Sequence, residues 1–143
     1  MHCSILGSGK IGIDFYIKCK KSKIFDSISI YNINNKSEGA KFCKRKGFNY
    51  FNTGFDGLVK NLRKNHIIVD ASSAETSLKN YNKLSKFIKN RYYFNLTPSE
   101  IGDIVFPYKE LQDIPQYLNF ITCGAQSSLP IVYEMKKIFK KKN

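Results

Sequence analysis

Apolar positions recur along this chain in two rhythms, one suited to strands and one to helices. Cys3-Ser4-Ile5-Leu6 is a short apolar run and predicts a first strand. From Lys10 to Lys20, Ile11, Phe15, Ile17 and Cys19 supply the apolar face of a helix. Ser27 to Ile33 alternates and predicts a strand. Ser37 to Lys46 predicts a helix, with Ser37-Glu38 suited to its first turn and Gly47 to its C-terminal cap. Asn49 to Phe51 reads as a weak strand and Asp56 to Lys64 as a short helix. His66-Ile67-Ile68-Val69-Asp70 is the pattern of a strand buried on both faces. Ala74 to Asn90 then predicts a helix, and Tyr92 to Leu96 and Leu118 to Thr122 two more strands. Leu129 to Lys142 predicts a terminal helix, capped by Ser127 or Ser128 and with Pro130 in its first turn. Pro98 to Pro115 is the least regular stretch.

Strands that alternate with helices of this length predict an α/β fold: a Rossmann-like, doubly wound parallel sheet with helices on both faces. The 143 residues suit one domain over 1–143, and 42% hydrophobic content suffices for its core. No apolar run reaches the roughly 18 residues of a membrane span, so no membrane partner is expected. Met1-His2 leads straight into the first strand without a basic leader or a small-residue cleavage site. A cytoplasmic location is the expectation.

The turn after the first strand carries chemistry. Gly7, Gly9 and Gly12 fit the pattern GxGxxG between a strand and a helix, the context that a dinucleotide phosphate loop requires. The first glycine permits the tight turn, the second lets the backbone approach a pyrophosphate, and the third lets helix and strand pack closely. The helix N-terminus then offers unpaired N–H groups to the anion. A purely structural strand-to-helix turn is the other reading. The acidic residue that holds the ribose hydroxyls is expected at the end of the second strand. That region reads Asn32-Ile33-Asn34-Asn35-Lys36, with no carboxylate. NAD is the expected cofactor, and NADP stays open.

Cysteine supplies a second candidate. Cys3, Cys19, Cys43 and Cys123 show no CxxC pair and no zinc spacing, and His2 and His66 show neither metal nor triad spacing. Cys123 follows an apolar strand and precedes Gly124 and a helix, where unpaired N–H groups and the helix dipole stabilise a thiolate. It reads either as a nucleophile or as a structural thiol. Buried free thiols are the expectation for the other three. Tyr92-Tyr93-Phe94 reads as strand core, and Glu100 and Asp103 as surface residues.

The net charge of +13 reads in two ways. It could mark a polyanion surface. It also fits a genome biased toward A and T, whose codons favour Lys, Asn, Ile, Tyr and Phe. The lysines are scattered, with a run only at Lys136-Lys137 and Lys140-Lys141-Lys142. Solvated faces are the favoured reading, and no nucleic-acid partner is expected.

Several blocks together resemble the N-terminal half of the acylating acetaldehyde dehydrogenases. Ile5-Leu6-Gly7-Ser8-Gly9-Lys10-Ile11-Gly12-Ile13-Asp14 resembles that family's IIGSGNIGTD, and Ser37-Glu38-Gly39-Ala40 its SDGL. Asp56-Gly57-Leu58 resembles DGL, and Val69-Asp70-Ala71-Ser72-Ser73-Ala74 resembles FDATSA. Asn95-Leu96-Thr97-Pro98-Ser99-Glu100-Ile101-Gly102 resembles DLTPAAIG. Ile121-Thr122-Cys123-Gly124-Ala125-Gln126-Ser127-Ser128-Leu129-Pro130 resembles VTCGGQATIP.

The resemblance implies a role for each matched position. Gly7, Ser8, Gly9, Lys10, Ile11 and Gly12 would form the phosphate loop, and Asn34 would stand at the ribose. Asp70, Ser72 and Ser73 would border the cofactor, and Cys123 would be the thioester nucleophile. It implies oxidation of a small aldehyde, acetaldehyde, to acetyl-CoA with NAD and coenzyme A. It further implies an aldolase partner, 4-hydroxy-2-oxovalerate aldolase, and a place in aromatic-compound catabolism. Coenzyme A and dinucleotides are polyanions, which suits the positive charge. Lys10 stands where the family has Asn, Asn34 and Asn95 where it has Asp, and Ala125 where it has Gly. The family's second, dimerisation and catalytic domain has no counterpart in these 143 residues. The resemblance therefore implies an uncovered apolar helix or sheet face that pairs with a separate second-domain chain or another copy. A dinucleotide-binding module without turnover is the alternative.

Overall fold

The computed structural model describes residues 1–140 other than Tyr108, Glu110 and Gln112, with Lys140 described by its backbone. The elements run β1 (His2–Leu6), α1 (Lys10–Ser22), β2 (Ser27–Tyr31), α2 (Glu38–Arg45), β3 (Tyr50–Phe51) and α3 (Gly54–Lys60). They continue as β4 (His66–Asp70), α4 (Ala74–Leu84), β5 (Arg91–Asn95), β6 (Asp103–Ile104), β7 (Tyr117–Asn119) and α5 (Cys123–Lys140). The strands form one sheet in the order β3-β2-β1-β4-β5-β7-β6, and every pairing is parallel. The chain winds outward from β1 to β3, returns to β4 on the other side of β1, and winds the opposite way. The Rossmann-like doubly wound expectation holds.

Strand β4 shows why the sheet needs cover on both faces. All five of its residues are buried. Ile67 and Val69 join Ile5, Ile30, Tyr16 of α1 and Cys43 of α2 on one face. Ile68 joins Leu6, Tyr93, Phe55 and Leu58 of α3, and Leu84 of α4 on the other. Period-two alternation thus feeds two cores from one strand, and each buried Ile or Val contributes about 1.5–3 kcal/mol.

Element ends differ from the sequence reading where side chains intervene. Helix α4 stops at Leu84, not Asn90. The segment beyond keeps Ile88 buried but runs in turns, with the Arg91 guanidinium donating to the carbonyls of Phe87 and Lys89. Leu84 and Ile88 have helical spacing, so periodicity alone could not separate turns from helix. Helix α3 starts at Gly54 and ends at Lys60, where the Asn61 amide donates to the Gly57 carbonyl at 2.8 Å. Strand β7 ends at Asn119, and β6 pairs with it inside the stretch read as irregular.

The largest correction concerns the last helix. Helix α5 begins at Cys123, so Ser127 and Ser128 are not its caps. Their hydroxyls donate to the Gly124 carbonyl at 2.8 and 2.9 Å, inside the helix. The first turn is closed instead by Thr122 Oγ1, which accepts from the Ala125 N–H at 3.4 Å. Pro130 sits within the helix rather than in its first turn, where it lacks the N–H for an i−4 bond. The expected end at Lys142 lies outside the described residues.

Candidate functional site

Of the three glycines at the junction of β1 and α1, the fold demands two. Gly7 has φ +99°, and a Cβ there would lie 2.7 Å from the Ala71 carbonyl oxygen. A Cβ on Gly12 would fall 2.3 Å from the Gly7 carbonyl oxygen. These two positions are closed by the fold. Gly9 differs: its φ of −74° suits any residue, and a Cβ would meet nothing within 4 Å. Gly9 is the N-cap of α1, no side chain caps that helix, and its first turn holds no acid. The open space above Gly9 therefore adjoins uncapped N–H groups at a helix N-terminus, the setting that favours an anion.

Helix α2 closes one side of the loop. A Cβ on Gly39 would stand 1.7 Å from the Ser8 carbonyl oxygen, so only glycine lets α2 come this near. The Asn32 amide donates to Ser8 Oγ at 2.7 Å and ties the end of β2 to the loop. Ser37 caps α2 by accepting the Ala40 N–H at 3.2 Å. A cleft of about 690 Å³ opens here, at the carboxyl ends of β1, β2 and β4. This is the point where the winding reverses, and where open α/β sheets take ligands.

Beneath the cleft lies a buried polar layer. Asp70, fully buried at the end of β4, accepts from the Ser72 N–H at 3.0 Å and the Ser72 hydroxyl at 2.5 Å. It also accepts from the Asn80 amide and the Tyr93 hydroxyl, each at 2.8 Å. Burial, reinforced by the Asp70 charge, pushes the Tyr93 phenol well above its usual range and keeps it a donor. Ser77 contacts the Tyr93 hydroxyl at 3.0 Å and donates to Asn95 Oδ1 at 3.3 Å. Asn95 donates to the Ser99 carbonyl at 2.8 Å, and Asn119 of β7 donates to the same oxygen at 3.2 Å. The ends of β4, β5 and β7 are thereby linked by side chains.

Cys123 stands apart from this layer. It is exposed, it opens α5, and it is not among the residues that line the cleft. Cys3, Cys19 and Cys43 are buried free thiols, as expected, and burial pushes the Cys43 thiol up. Helix α5 meets the rest of the fold through Gln126, whose amide donates to the Val105 carbonyl at 2.6 Å, and Tyr133, edge-on to Phe106. Its other side carries Ile131, Val132, Met135, Ile138 and Phe139, between 49% and 64% exposed. Their i, i+1, i+4, i+7, i+8 spacing makes one apolar stripe.

No family model matches the chain. The acetaldehyde dehydrogenase of Geobacillus stearothermophilus is 32% identical over 139 residues, covering 94% of this chain and 46% of the relative. That of Burkholderia thailandensis is 34% identical over 136 residues, covering 94% and 45%. Over 94% of its length the chain is similar to several proteins named acetaldehyde dehydrogenase, at 31–34% identity. It spans about half the length of the curated relatives it matches.

The structure sorts the expected site residues into groups. Gly7, Ser8, Gly9, Asn34, Ser72 and Ser73 line the cleft together. Asp70 lies under it and holds Ser72. Lys10 lines a neighbouring groove between α1 and α2, which shares Ser8, Gly9 and Gly39 with the cleft. Ile11 is 55% exposed, and Gly12 is a packing position. Sequence reasoning missed Asn32, Asn80 and the close approach of Gly39. The SEGA block carried the signal for Gly39, since a glycine in the first turn of a helix has no helical reason to be there.

Proposed function

We propose that this chain is the cofactor-binding, cysteine-bearing part of an acylating acetaldehyde dehydrogenase that uses NAD and coenzyme A. The observation that supports it is Gly9. Nothing among the described residues requires glycine there, and the space it leaves adjoins free helix N–H groups. A pyrophosphate fits that space and that charge. Gly7, Ser8 and Gly9 would hold the pyrophosphate, Asn34 the ribose side, and Ser72 and Ser73 the far wall of the cleft. Bound there, NAD supplies the hydride acceptor.

Cys123 Sγ, as thiolate, adds to the aldehyde carbonyl carbon and forms a C–S bond. The helix N–H groups beside Gly124 stabilise the resulting oxyanion. Oxidation of that adduct leaves an acyl thioester on Cys123. The coenzyme A thiolate then attacks the thioester carbon, and Cys123 departs as thiolate. Cytoplasmic location and pairing with 4-hydroxy-2-oxovalerate aldolase belong to the same reading.

A second reading is a dinucleotide-binding module without turnover by itself. Two observations favour it: Cys123 lies outside the cleft lining, and the apolar stripe of α5 is uncovered. Both fit a site that is completed when a further surface packs against α5. The test is reduced-nicotinamide formation from purified chain, acetaldehyde, coenzyme A and NAD, beside Cys123→Ala, with NAD binding measured in parallel by calorimetry. Turnover that needs Cys123 supports the enzyme. Binding without turnover supports the module. Absence of NAD binding refutes both.

A further inference from the structure

The adenosine side of the cleft has an uncommon charge pattern for a site that takes NAD. In NAD-selective doubly wound folds, a carboxylate at the end of the second strand accepts from the ribose hydroxyls and repels a 2′-phosphate. Here the residues after β2 that line the cleft are Asn32, Ile33, Asn34 and Ser37, and the described lining holds no Asp or Glu.

The hydrogen bonds of this turn sharpen the point. Asn34 Oδ1 already accepts the Lys36 N–H at 3.0 Å, so it is committed to the turn. The Asn34 amide has no hydrogen-bond partner among the described residues, which leaves a donor where an acceptor is usual. Lys36, two positions on, is exposed and its ammonium has no ion pair among the described residues. The nearest carboxylates along the chain and in the adjoining groove are engaged elsewhere. Glu38 pairs with Lys41 at 2.7 Å, and Asp14 pairs with Lys18 at 2.5 Å. That groove also carries Lys10 and Arg45. The turn therefore offers an amide donor in the cleft lining and an exposed cation two residues on, with no carboxylate among the described lining residues.

We propose that the adenosine end of this cleft takes the 2′-phosphorylated dinucleotide NADP on a par with NAD, with Asn34 and Lys36 as the residues that set the ratio. This rests on the dinucleotide reading above. The Asn34 amide donates to the ribose 2′-substituent, whether hydroxyl or phosphate. Lys36 adds charge attraction for the phosphate alone. A carboxylate at either position would restore repulsion toward the phosphate.

The test is calorimetric titration of the full chain with NAD and with NADP at one fixed salt concentration, repeated for Asn34→Asp and Lys36→Glu. Both substitutions lie at exposed turn positions, and thermal melting checks that each variant folds. Wild-type affinities within about threefold of each other are expected, and each variant should shift the ratio toward NAD by about tenfold or more. If the wild type binds NAD but binds NADP more than about tenfold less tightly, the proposal is overturned and the dinucleotide reading stands. The same holds if Asn34→Asp leaves the ratio unchanged. If neither dinucleotide binds, the dinucleotide reading fails and this proposal fails with it.

Discussion

Substitution of Gly9 by Ala separates a glycine kept for a ligand from one kept for the fold. The backbone there has φ −74° and ψ −179°, which alanine adopts without strain, and the added methyl meets nothing within 4 Å. Loss of a tolerable N-cap residue costs under about 1 kcal/mol. The smaller entropy of the unfolded alanine chain returns about 0.4–1 kcal/mol. The melting temperature should therefore move by no more than about 4 °C. Binding should respond differently, because the methyl occupies the space through which phosphate oxygens reach the α1 N–H groups. Loss of two hydrogen bonds to a charged group, at about 1.5 kcal/mol each, weakens NAD by roughly 100-fold. Calorimetry with NAD, beside thermal melting of the same samples, reads both quantities. A Gly9→Ala protein that binds NAD within about threefold of wild type would refute the reasoning.

Gly39→Ala should behave in the opposite way: its Cβ would lie 1.7 Å from the Ser8 carbonyl oxygen, and forcing α2 off the loop should cost about 1–3 kcal/mol by urea unfolding. Tyr93→Phe removes one of the donors to the buried Asp70 carboxylate and should cost about 2 kcal/mol by the same measurement, a loss below about 0.5 kcal/mol counting against the network. His66 accounts for a pH dependence. Burial first, then the charges of His2, Arg91 and Arg63, lowers its pKa from 6.5 to about 4. The unfolded chain therefore binds the proton more readily between those values, so stability is full above about pH 6.5 and falls toward pH 4, by about 3 kcal/mol in all. Urea midpoints across that range should fall less steeply in His66→Asn, and equal slopes would refute the assignment. Cys123 is the one exposed cysteine of the four, so iodoacetamide should label it in the folded protein well before the others, as peptide mass mapping would show.

The order and type of the elements other than β6 could be read from the sequence, because they are local properties. Period-two runs such as Ser27 to Ile33, the apolar centre of His66 to Asp70, and helical spacing in Lys10 to Lys20 each report which faces must be buried. The glycine pattern at 7, 9 and 12 was equally local, and six of the expected site residues do come together in one cleft. The motif also gave the tight turn at Gly7 and the close packing at Gly12, but the partners at Gly39 and Ser72 were not legible. Gly12 answers to Gly7, Gly39 to Ser8 and Ser72 to Asp70, all through contacts made only after folding.

The helix ends and the place of Cys123 also had to await the fold. Periodicity reports that a face is apolar, and it is silent on what covers that face. Leu84 and Ile88 share a helical spacing, yet the chain between them leaves the helix, and Arg91 takes up the carbonyls. Cys123 and Gly124 looked like the residues before a helix, yet they open it, because the Thr122 hydroxyl caps the turn five or six residues earlier than a serine-based reading would place it. The stripe from Ile131 to Phe139 has the pattern of a core helix and lies uncovered. Burial is a property of the surfaces that meet, and one helix's sequence holds only one of the two.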